Sequence, residues 1–162
     1  MTNINFPDHA QDRETYPENT YKVVLDRWEK VVAKTGTEQI RWYSNIEGGD
    51  YDGKSAVDHL QLLDNTGWKI ANFLKACYGF DNDDLKALGK VNTGSARFAR
   101  MMDLCKGRKM WWTLIIDSYG GSQRNKVSDY IPVAIEEQPK LNSTEIDDIP
   151  TFIKEKEQRQ NK

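Results

Sequence analysis

Apolar and polar residues alternate along several short stretches of the chain, and a period of two is the pattern of half-buried β-strands. In residues 20–28 (TYKVVLDRW), Tyr21, Val23 and Leu25 fall on one face, whereas a lysine and an aspartate fall on the other. The same alternation predicts four more strands, over residues 39–46, 55–63, 110–117 and 126–133. Glycine-containing turns separate these stretches, so the sequence predicts a protein made mainly of β-strands.

The spacing becomes helical between the third and fourth predicted strands. Residues 64–79 end at a glycine, which favours helix termination, and they place four apolar residues at helical spacing, namely Trp68, Ala71, Leu74 and Tyr78. Residues 81–107 predict one or two short helical turns, with 96–104 favoured. Three strands, a helix and two strands is the order of a five-stranded OB-type barrel with a helix between the third and fourth strands. An open β-meander with a packed helix is the alternative fold.

The two ends of the chain differ from its middle in composition. Residues 1–19 are polar and acidic and predict a flexible N-terminal arm, whereas residues 20–133 form the predicted OB-fold domain. After Pro132 the apolar pattern fails, so residues 134–162 predict a disordered acidic C-terminal tail. No apolar run is long enough for a membrane span or a signal peptide. We therefore expect a cytoplasmic protein that does not contact membranes, with Cys77 and Cys105 as buried free thiols.

The net charge of −2 argues at first against a nucleic-acid partner. However, residues 20–133 contain more lysine and arginine than aspartate and glutamate, and the acidic excess lies at both ends. A groove that follows phosphates needs a locally positive potential rather than a basic whole molecule. The charge distribution therefore permits nucleic-acid binding without requiring it.

Residues that could support catalysis are few. His9 and His59 do not lie at metal-ligand spacing from a cysteine or from each other, so no metal site is expected. Gly48 and Gly49 lack the Lys-Ser/Thr pair of a phosphate-binding loop, and no serine lies in a nucleophile elbow. The acidic run at residues 81–84 could suggest a metal-dependent nuclease, but a helix cap is the favoured interpretation. We expect no enzymatic activity and no cofactor.

Aromatic residues are numerous for a small domain, and adjacent strand residues point to opposite faces. The apolar phase of the second and fourth strands puts Trp42 and Trp112 in the core, with Tyr43 and Trp111 outside. Single-stranded nucleic acid is held by aromatic rings under the bases and by cations along the phosphates. The predicted DNA-binding residues combine these two types: Trp28, Arg41, Tyr43, Tyr51, Lys54, Lys109, Trp111, Arg124 and Lys126.

Four segments, TYKVVLDRWE, KTGTEQI, GGDYDGKSAVDHLQLL and SYGGSQRNKVSDYIPV, resemble a family of small phage-encoded proteins. That family was long catalogued as a domain of unknown function in phage replication and recombination modules, and its members are generally regarded as single-stranded-DNA-binding-like OB folds. The resemblance covers residues 20–133 and departs from the family pattern around residues 91–108. It implies a phage protein that binds single-stranded DNA during replication or recombination, in the cytoplasm of the infected bacterial host.

The C-terminal segment 145–152 (EIDDIPTF) is similar to the acidic tip of bacterial single-stranded-DNA-binding proteins, which ends in Asp-Asp-Ile-Pro-Phe. The bacterial tip also uses its terminal carboxylate, which this chain lacks because ten residues follow Phe152. The similarity implies a tail that recruits replication or recombination proteins through Asp147, Asp148, Ile149, Pro150 and Phe152.

The sequence supports two functions from different classes. The first is a single-stranded DNA-binding protein that protects or organises DNA without catalysis, and the second is an OB-type protein-interaction module that inhibits or regulates a host enzyme. A nuclease is the weakest alternative. The sequence leaves open whether the protein is a homo-oligomer.

Overall fold

The computed structural model describes residues 2–3, 15–119 and 121–139. They form a mainly β structure with five antiparallel strands in one sheet, β1 (Asn19–Val32), β2 (Glu38–Ile46), β3 (Ser55–Gln61), β4 (Lys109–Tyr119) and β5 (Ser122–Pro132). Three α-helices lie between β3 and β4, namely α1 (Gly67–Tyr78), α2 (Asn82–Leu88) and α3 (Ala96–Asp103). The order of strands and helices predicted from the sequence is therefore confirmed.

The strand order in the sheet is β3-β2-β1-β4-β5, with β1 at the centre. The first part of β1, from Asn19 to Val24, pairs with β4, and the part from Val23 to Val32 pairs with β2. The register of the β1–β2 pair shifts between Leu25 and Arg27, which marks a β-bulge. A bulge bends its strand and increases the local twist, so β1 changes direction where it passes from one partner to the other.

The predicted barrel does not close. In the described part of the chain β3 and β5 are the edges of the sheet and share no ladder, so the prediction of a closed five-stranded barrel is wrong. Side chains connect the two edges instead. The Tyr130 hydroxyl of β5 donates to the Asp58 carboxylate of β3. The Tyr16 hydroxyl donates to the Ser55 carbonyl at 2.6 Å, while the Tyr16 backbone N–H donates to Asn125 at 2.7 Å.

Helix α1 explains why the edges stay apart, because it contacts both of them. Its Phe73 ring stacks on Trp42 of β2 with 5.7 Å between ring centroids. The same ring meets the ring of Tyr130 edge-on at 5.5 Å. Trp42 and Trp112 are both fully buried, which confirms the predicted strand phase of β2 and β4.

Residue Trp68 does not share the buried side of α1, contrary to its predicted apolar spacing. Its side chain is 62% exposed, whereas Phe73, Leu74 and Tyr78 are buried. In the first turn of the helix Lys69 is the residue that turns toward the sheet, with its Nζ 3.2 Å from the Asp58 carboxylate. The helix ends at Gly79, whose φ of 74° lies in the left-handed region that favours glycine.

The segment between α1 and β4 begins with the acidic run. Asp81 and Asp84 form a capping box at the start of α2, since each side chain accepts a hydrogen bond from the other residue's backbone N–H, at 2.9 and 2.8 Å. The interpretation of this run as a helix cap is therefore confirmed. At the end of the segment the Arg108 side chain is fully buried, and its Nε donates to the Cys77 carbonyl at 2.8 Å. Both cysteines are buried and free.

Contacts with the sheet extend beyond residues 20–133 at both ends. Tyr16 is buried among the core residues. The Gln138 side-chain amide exchanges two hydrogen bonds with the Lys109 backbone, at 2.7 and 2.6 Å, and so acts as a peptide group opposite the start of β4. The Pro139 carbonyl accepts from Arg108 at 3.2 Å. Residues 134–139 thus contact the sheet rather than begin a separate tail, while the predicted partner-binding residues at 147–152 lie outside the described residues.

Among the described residues, no helix has both the length and the apolar character that crossing a membrane requires.

Candidate nucleic-acid interface

One group of charged and aromatic side chains lies on the outward face of β1, β2 and β3. Strand register places Arg27 opposite Tyr43, Glu29 opposite Arg41, and Arg41 opposite His59. Residues directly opposite each other in neighbouring strands share one face of the sheet. We call these five residues the Tyr43 surface.

The Tyr43 ring is held in place by its neighbours. The Arg27 guanidinium carbon lies 3.6 Å from the ring centroid, within the range of a cation–π contact. The Tyr43 hydroxyl donates to the Glu29 carboxylate at 2.8 Å and accepts from Arg41 at 3.3 Å. Because Arg41 also pairs with Glu29 at 3.2 Å, one carboxylate faces two guanidinium groups, and the surface keeps a positive excess.

The imidazole of His59 is neutral in this arrangement. Arg41 Nε donates to His59 Nε2 at 3.1 Å, which requires that nitrogen to carry no proton. Burial lowers the pKa of His59, and the positive charges of Arg41, Arg124 and Lys69 lower it further. The side chain therefore acts as a hydrogen-bond acceptor that orients Arg41 and adds no charge at neutral pH.

A second group lies on the outward face where β1 meets β4. Trp111 is 36% exposed, opposite Ile131 of β5, and Lys22 Nζ lies 6.0 Å from the Trp111 ring centroid. Lys22 forms a salt bridge with Glu137, and Lys109 forms one with Glu47 at 2.8 Å. We call the set of Lys22, Glu47, Lys109, Trp111 and Glu137 the Trp111 surface.

The charges of the Trp111 surface cancel, because each ammonium group faces a carboxylate. The hydrogen bond with Glu137 raises the pKa of Lys22, and the same bond lowers the pKa of Glu137. Both groups are therefore ionised over a wide range of pH around neutrality. A phosphate approaching Trp111 would have to displace a carboxylate that already occupies its cation.

A cavity of 560 Å³ adjoins this surface, between the start of β1, the β2–β3 loop and Trp111. The predicted DNA-binding residue Tyr51 lies in its wall. Its ring meets Tyr16 edge-on at 5.1 Å and Tyr21 at 6.0 Å, so the three tyrosines form a cluster that attaches the loop to the core. The ring of Tyr51 is thus occupied by protein contacts on at least two sides.

The structure places Trp28 on the opposite face from Tyr43. Trp28 pairs with the buried Trp42, and its Nε1 donates to Asp103 of α3 at 2.8 Å. Strict alternation from Leu25 would turn Arg27 inward and Trp28 outward, but the bulge before Arg27 exchanges the two residues. Strict alternation would thus bury the charged Arg27 and expose the apolar Trp28. This mismatch was the feature of the sequence that indicated a bulge in β1.

The predicted DNA-binding residues therefore do not form one site. Arg41 and Tyr43 lie together on one surface, and Lys109 and Trp111 on another, about 15 Å away along β1 at ~3.3 Å per residue. The other three predicted cations are exposed, namely Lys54 before β3, and Arg124 and Lys126 in β5, and of these Arg124 is near enough to His59 to lower its pKa. The sequence shows Arg27 as one of several cations interleaved with aromatic residues but does not predict it, Glu29 or His59 as site residues, because their partners become visible only with the strand register.

Among residues 2–3, 15–119 and 121–139, no three His, Cys, Asp or Glu side chains are placed to hold a metal ion. The one buried carboxylate on β3, Asp58, faces the core and bonds to Lys69 and Tyr130. Its role is to connect the sheet edges and α1.

No family model and no curated protein matches the chain. Among solved structures, the chain is similar to one described as yeast RPA bound to ssDNA, with a TM-score of 0.30 and 11% sequence identity. The similarity covers 93% of this chain and 94% of that chain. A TM-score of this size does not define a shared fold. The candidate site is therefore inferred only from the strand register and the side-chain contacts given above.

Proposed function

We propose that the protein is a non-catalytic single-stranded DNA-binding protein with an OB-type fold, and that DNA crosses the Tyr43 surface. The strand order supports the fold, because β1 pairs with both β2 and β4 and the helices lie between β3 and β4. This is the order expected of an OB barrel that is opened between its third and fifth strands.

The observation that carries the proposal is the oriented Tyr43 ring with Arg27 at 3.6 Å and Arg41 at its hydroxyl. An aromatic ring can stack with any base, and guanidinium groups can stack with bases or bind phosphates. Glu29 holds the hydroxyl of Tyr43 and the guanidinium of Arg41, so both are ordered before DNA arrives. Side chains ordered in advance lose less entropy on binding.

The decisive experiment is a titration of fluorescently labelled oligo-dT with Tyr43→Ala and Tyr43→Phe. Removing one stacked ring weakens binding by about 1–3 kcal/mol, which is roughly 5- to 150-fold in Kd. Tyr43→Phe keeps the ring and loses only the hydrogen bonds of the hydroxyl, so it should retain most of the affinity. Gln39→Ala, on the same strand and face, is the matched control and should bind like the wild type.

Wild-type affinity in Tyr43→Ala would contradict this placement of the DNA. Tight binding of duplex DNA with equal affinity would contradict the single-strand class. Binding should weaken with added salt, since each neutralised phosphate contributes a slope of about −0.7 in log K against log salt.

The Trp111 surface favours a second candidate function, the contact of another protein. Trp111 and Ile131 are neighbouring apolar side chains, 36% and 40% exposed, and the charges around them are already paired. Apolar residues in a charge-balanced rim are typical of protein interfaces. If Trp111→Ala leaves oligo-dT affinity unchanged while Tyr43→Ala lowers it, the Trp111 surface belongs to a protein-interaction module rather than to the DNA path.

We further propose the biological setting that the family resemblance implies. The protein would act in phage replication or recombination in the cytoplasm of an infected bacterium, and residues 145–152 would recruit protein partners. Pull-down of replication and recombination proteins from infected cells, with the full chain and with a chain ending at Pro139, tests this setting. Equal recovery by both chains would contradict recruitment by the tail.

A further inference from the structure

Trp68 is the largest exposed aromatic side chain among the described residues that the Tyr43 and Trp111 surfaces do not include. It lies in the first turn of α1 and is 62% exposed, while α1 as a whole packs against the sheet. An exposed indole has an apolar face that water solvates poorly, and such residues often mark contact surfaces. Trp68 is not one of the described core residues or of the partly buried apolar residues packed against them.

The neighbouring residue Lys69 fixes where this turn lies. Its Nζ is 3.2 Å from the Asp58 carboxylate and 3.1 Å from the His59 carbonyl. Asp58 is only 3% exposed, so the contact is anchored in the core rather than made by two mobile surface chains. The first turn of α1 therefore lies against β3, the strand that carries His59.

A continuous run of contacts leads from this turn to the proposed DNA site. Lys69 bonds to His59, His59 accepts from Arg41, and Arg41 donates to Tyr43. Tyr43 lies on the outward face of β2, whereas α1 packs on the core face through Phe73 and Trp42, so the path from Tyr43 to Trp68 passes around the edge strand β3.

The charges along the run favour nucleic acid as the occupant. Arg27 and Arg41 are cations on the run, against Glu29 on the surface, whereas the Lys69 ammonium is paired with Asp58. The second carboxylate, Asp58, is buried below it, and the acidic residue of the preceding turn is Asp64. Aromatic rings interleaved with cations are what a single strand requires, whereas the Trp111 surface has a carboxylate at each ammonium group.

We infer that Trp68 is a second base-stacking residue, which extends the single-stranded DNA site from the Tyr43 surface across the edge of β3 onto α1. The inference rests on the proposed function. The DNA site then contains two stacking residues, Tyr43 on β2 and Trp68 on α1. Short oligonucleotides then occupy the Tyr43 surface alone, and only longer ones reach Trp68.

The test is a series of labelled oligo-dT lengths, titrated with wild type and with Trp68→Ala, Trp68→Tyr, Tyr43→Ala and Val32→Ala. Val32 is 66% exposed at the end of β1 and is the matched control for loss of an exposed apolar side chain. Trp68→Ala should bind the shortest oligonucleotides like the wild type and lose roughly 5- to 150-fold affinity for the longer ones. Trp68→Tyr should recover most of the loss, and Val32→Ala should match the wild type at every length.

Trp68→Ala curves that coincide with the wild type at every length overturn the inference while leaving the proposed function standing, provided that Tyr43→Ala still weakens binding. An equal loss of affinity of Trp68→Ala for oligonucleotides of every length also overturns the inference. Trp68 would then affect the stability or shape of the whole domain rather than contact only the longer oligonucleotides. Capture of a protein that depends on Trp68, with unchanged DNA affinity, assigns the residue to a protein contact and overturns it too. Absence of any oligo-dT binding by the wild type refutes the proposed function, and the inference with it.

Quenching of tryptophan fluorescence gives a readout that does not depend on the alanine variant. If Trp68 stacks with a base, oligo-dT beyond the threshold length should quench the wild type more than Trp68→Phe. Equal quenching in the two proteins contradicts stacking at Trp68.

Discussion

The connection between the two open edges of the sheet can be tested by Tyr130→Phe. The variant keeps the ring that meets Phe73 edge-on and removes only the hydroxyl that donates to Asp58. Asp58 Oδ1 also accepts from Lys69 and from the His59 backbone N–H. Within the described chain Tyr130 is the donor to Oδ2, so the variant leaves one oxygen of a buried carboxylate without a hydrogen bond.

The magnitude follows from the burial and charge of Asp58. A hydrogen bond to a charged group contributes about 1.5–3 kcal/mol, and a buried acceptor that loses its donor costs a similar amount. We expect Tyr130→Phe to lower the free energy of unfolding by about 2 kcal/mol. For a protein of this size that corresponds to a fall in Tm of roughly 4–8 °C.

The loss should depend on pH, and its sign follows from the pKa of Asp58. Burial raises that pKa above its ordinary 3.8, although Lys69 and the Tyr130 hydroxyl act in the opposite direction. The folded state therefore holds the proton more tightly than the unfolded state. The stability contributed by this carboxyl is greatest below the ordinary pKa and falls as pH rises through the folded pKa.

Removing the Tyr130 hydroxyl raises the pKa of Asp58 further, so the deficit of the variant should grow with pH. Urea unfolding of wild type and Tyr130→Phe at neutral pH and below pH 3.8 measures this difference. Tyr21→Phe is the matched control, because it removes the same group from an exposed hydrogen bond to the Pro17 carbonyl. A deficit that is absent, equal to that of Tyr21→Phe, or larger at acidic pH would refute the reasoning.

Two further predictions concern the core and the tail. Trp42→Ala and Trp112→Ala should each lower the free energy of unfolding by about 3–5 kcal/mol, since both indoles are fully buried, and normal melting of either would contradict the observed packing. A chain ending at Pro139 should melt like the full chain and bind oligo-dT slightly more tightly at low salt. The removed residues 140–162 carry no net charge, so the gain comes only from loss of the acidic run at 145–148, which competes locally with phosphates, and it should vanish at high salt because ions screen this competition. Lower Tm or weaker binding in the truncated chain would assign the tail to the fold or the site.

The order of elements could be predicted because hydrophobic periodicity is a local property. The phase of β2 and β4 was correct for the same reason, since Trp42 and Trp112 follow the apolar residues two positions away. The alternation of inward and outward residues in β1 could not be predicted beyond Leu25. The β-bulge lies there, where the pairing of β1 changes from β4 to β2. This change of partner strand is a property of the whole sheet. It turns Trp28 toward the core, where the side chain is partly buried, and Arg27 onto the surface.

The salt-bridge partners in the Trp111 surface could not be predicted from local sequence patterns either. Lys109 and Glu47 are 62 residues apart in sequence, and Lys22 and Glu137 are 115 apart. A lysine beside an outward tryptophan looks like a phosphate-binding group until the fold brings a carboxylate to it. The closure of the barrel failed for a related reason, because strand order alone does not say whether a packed helix keeps the edges apart.

Local charge, rather than the charge of the whole chain, distinguishes the two outward surfaces. The protein has a net charge of −2, and both surfaces contain an outward aromatic ring beside cations, exposed at Trp111 and half-buried at Tyr43. At Trp111 the salt bridges to Glu47 and Glu137 would have to break before a phosphate could bind, and each broken pair offsets part of the gain. At Tyr43 one carboxylate faces two guanidinium groups, so a phosphate can pair with a cation without breaking a contact of equal strength. The Tyr43 surface is therefore the one on which a single strand gains most.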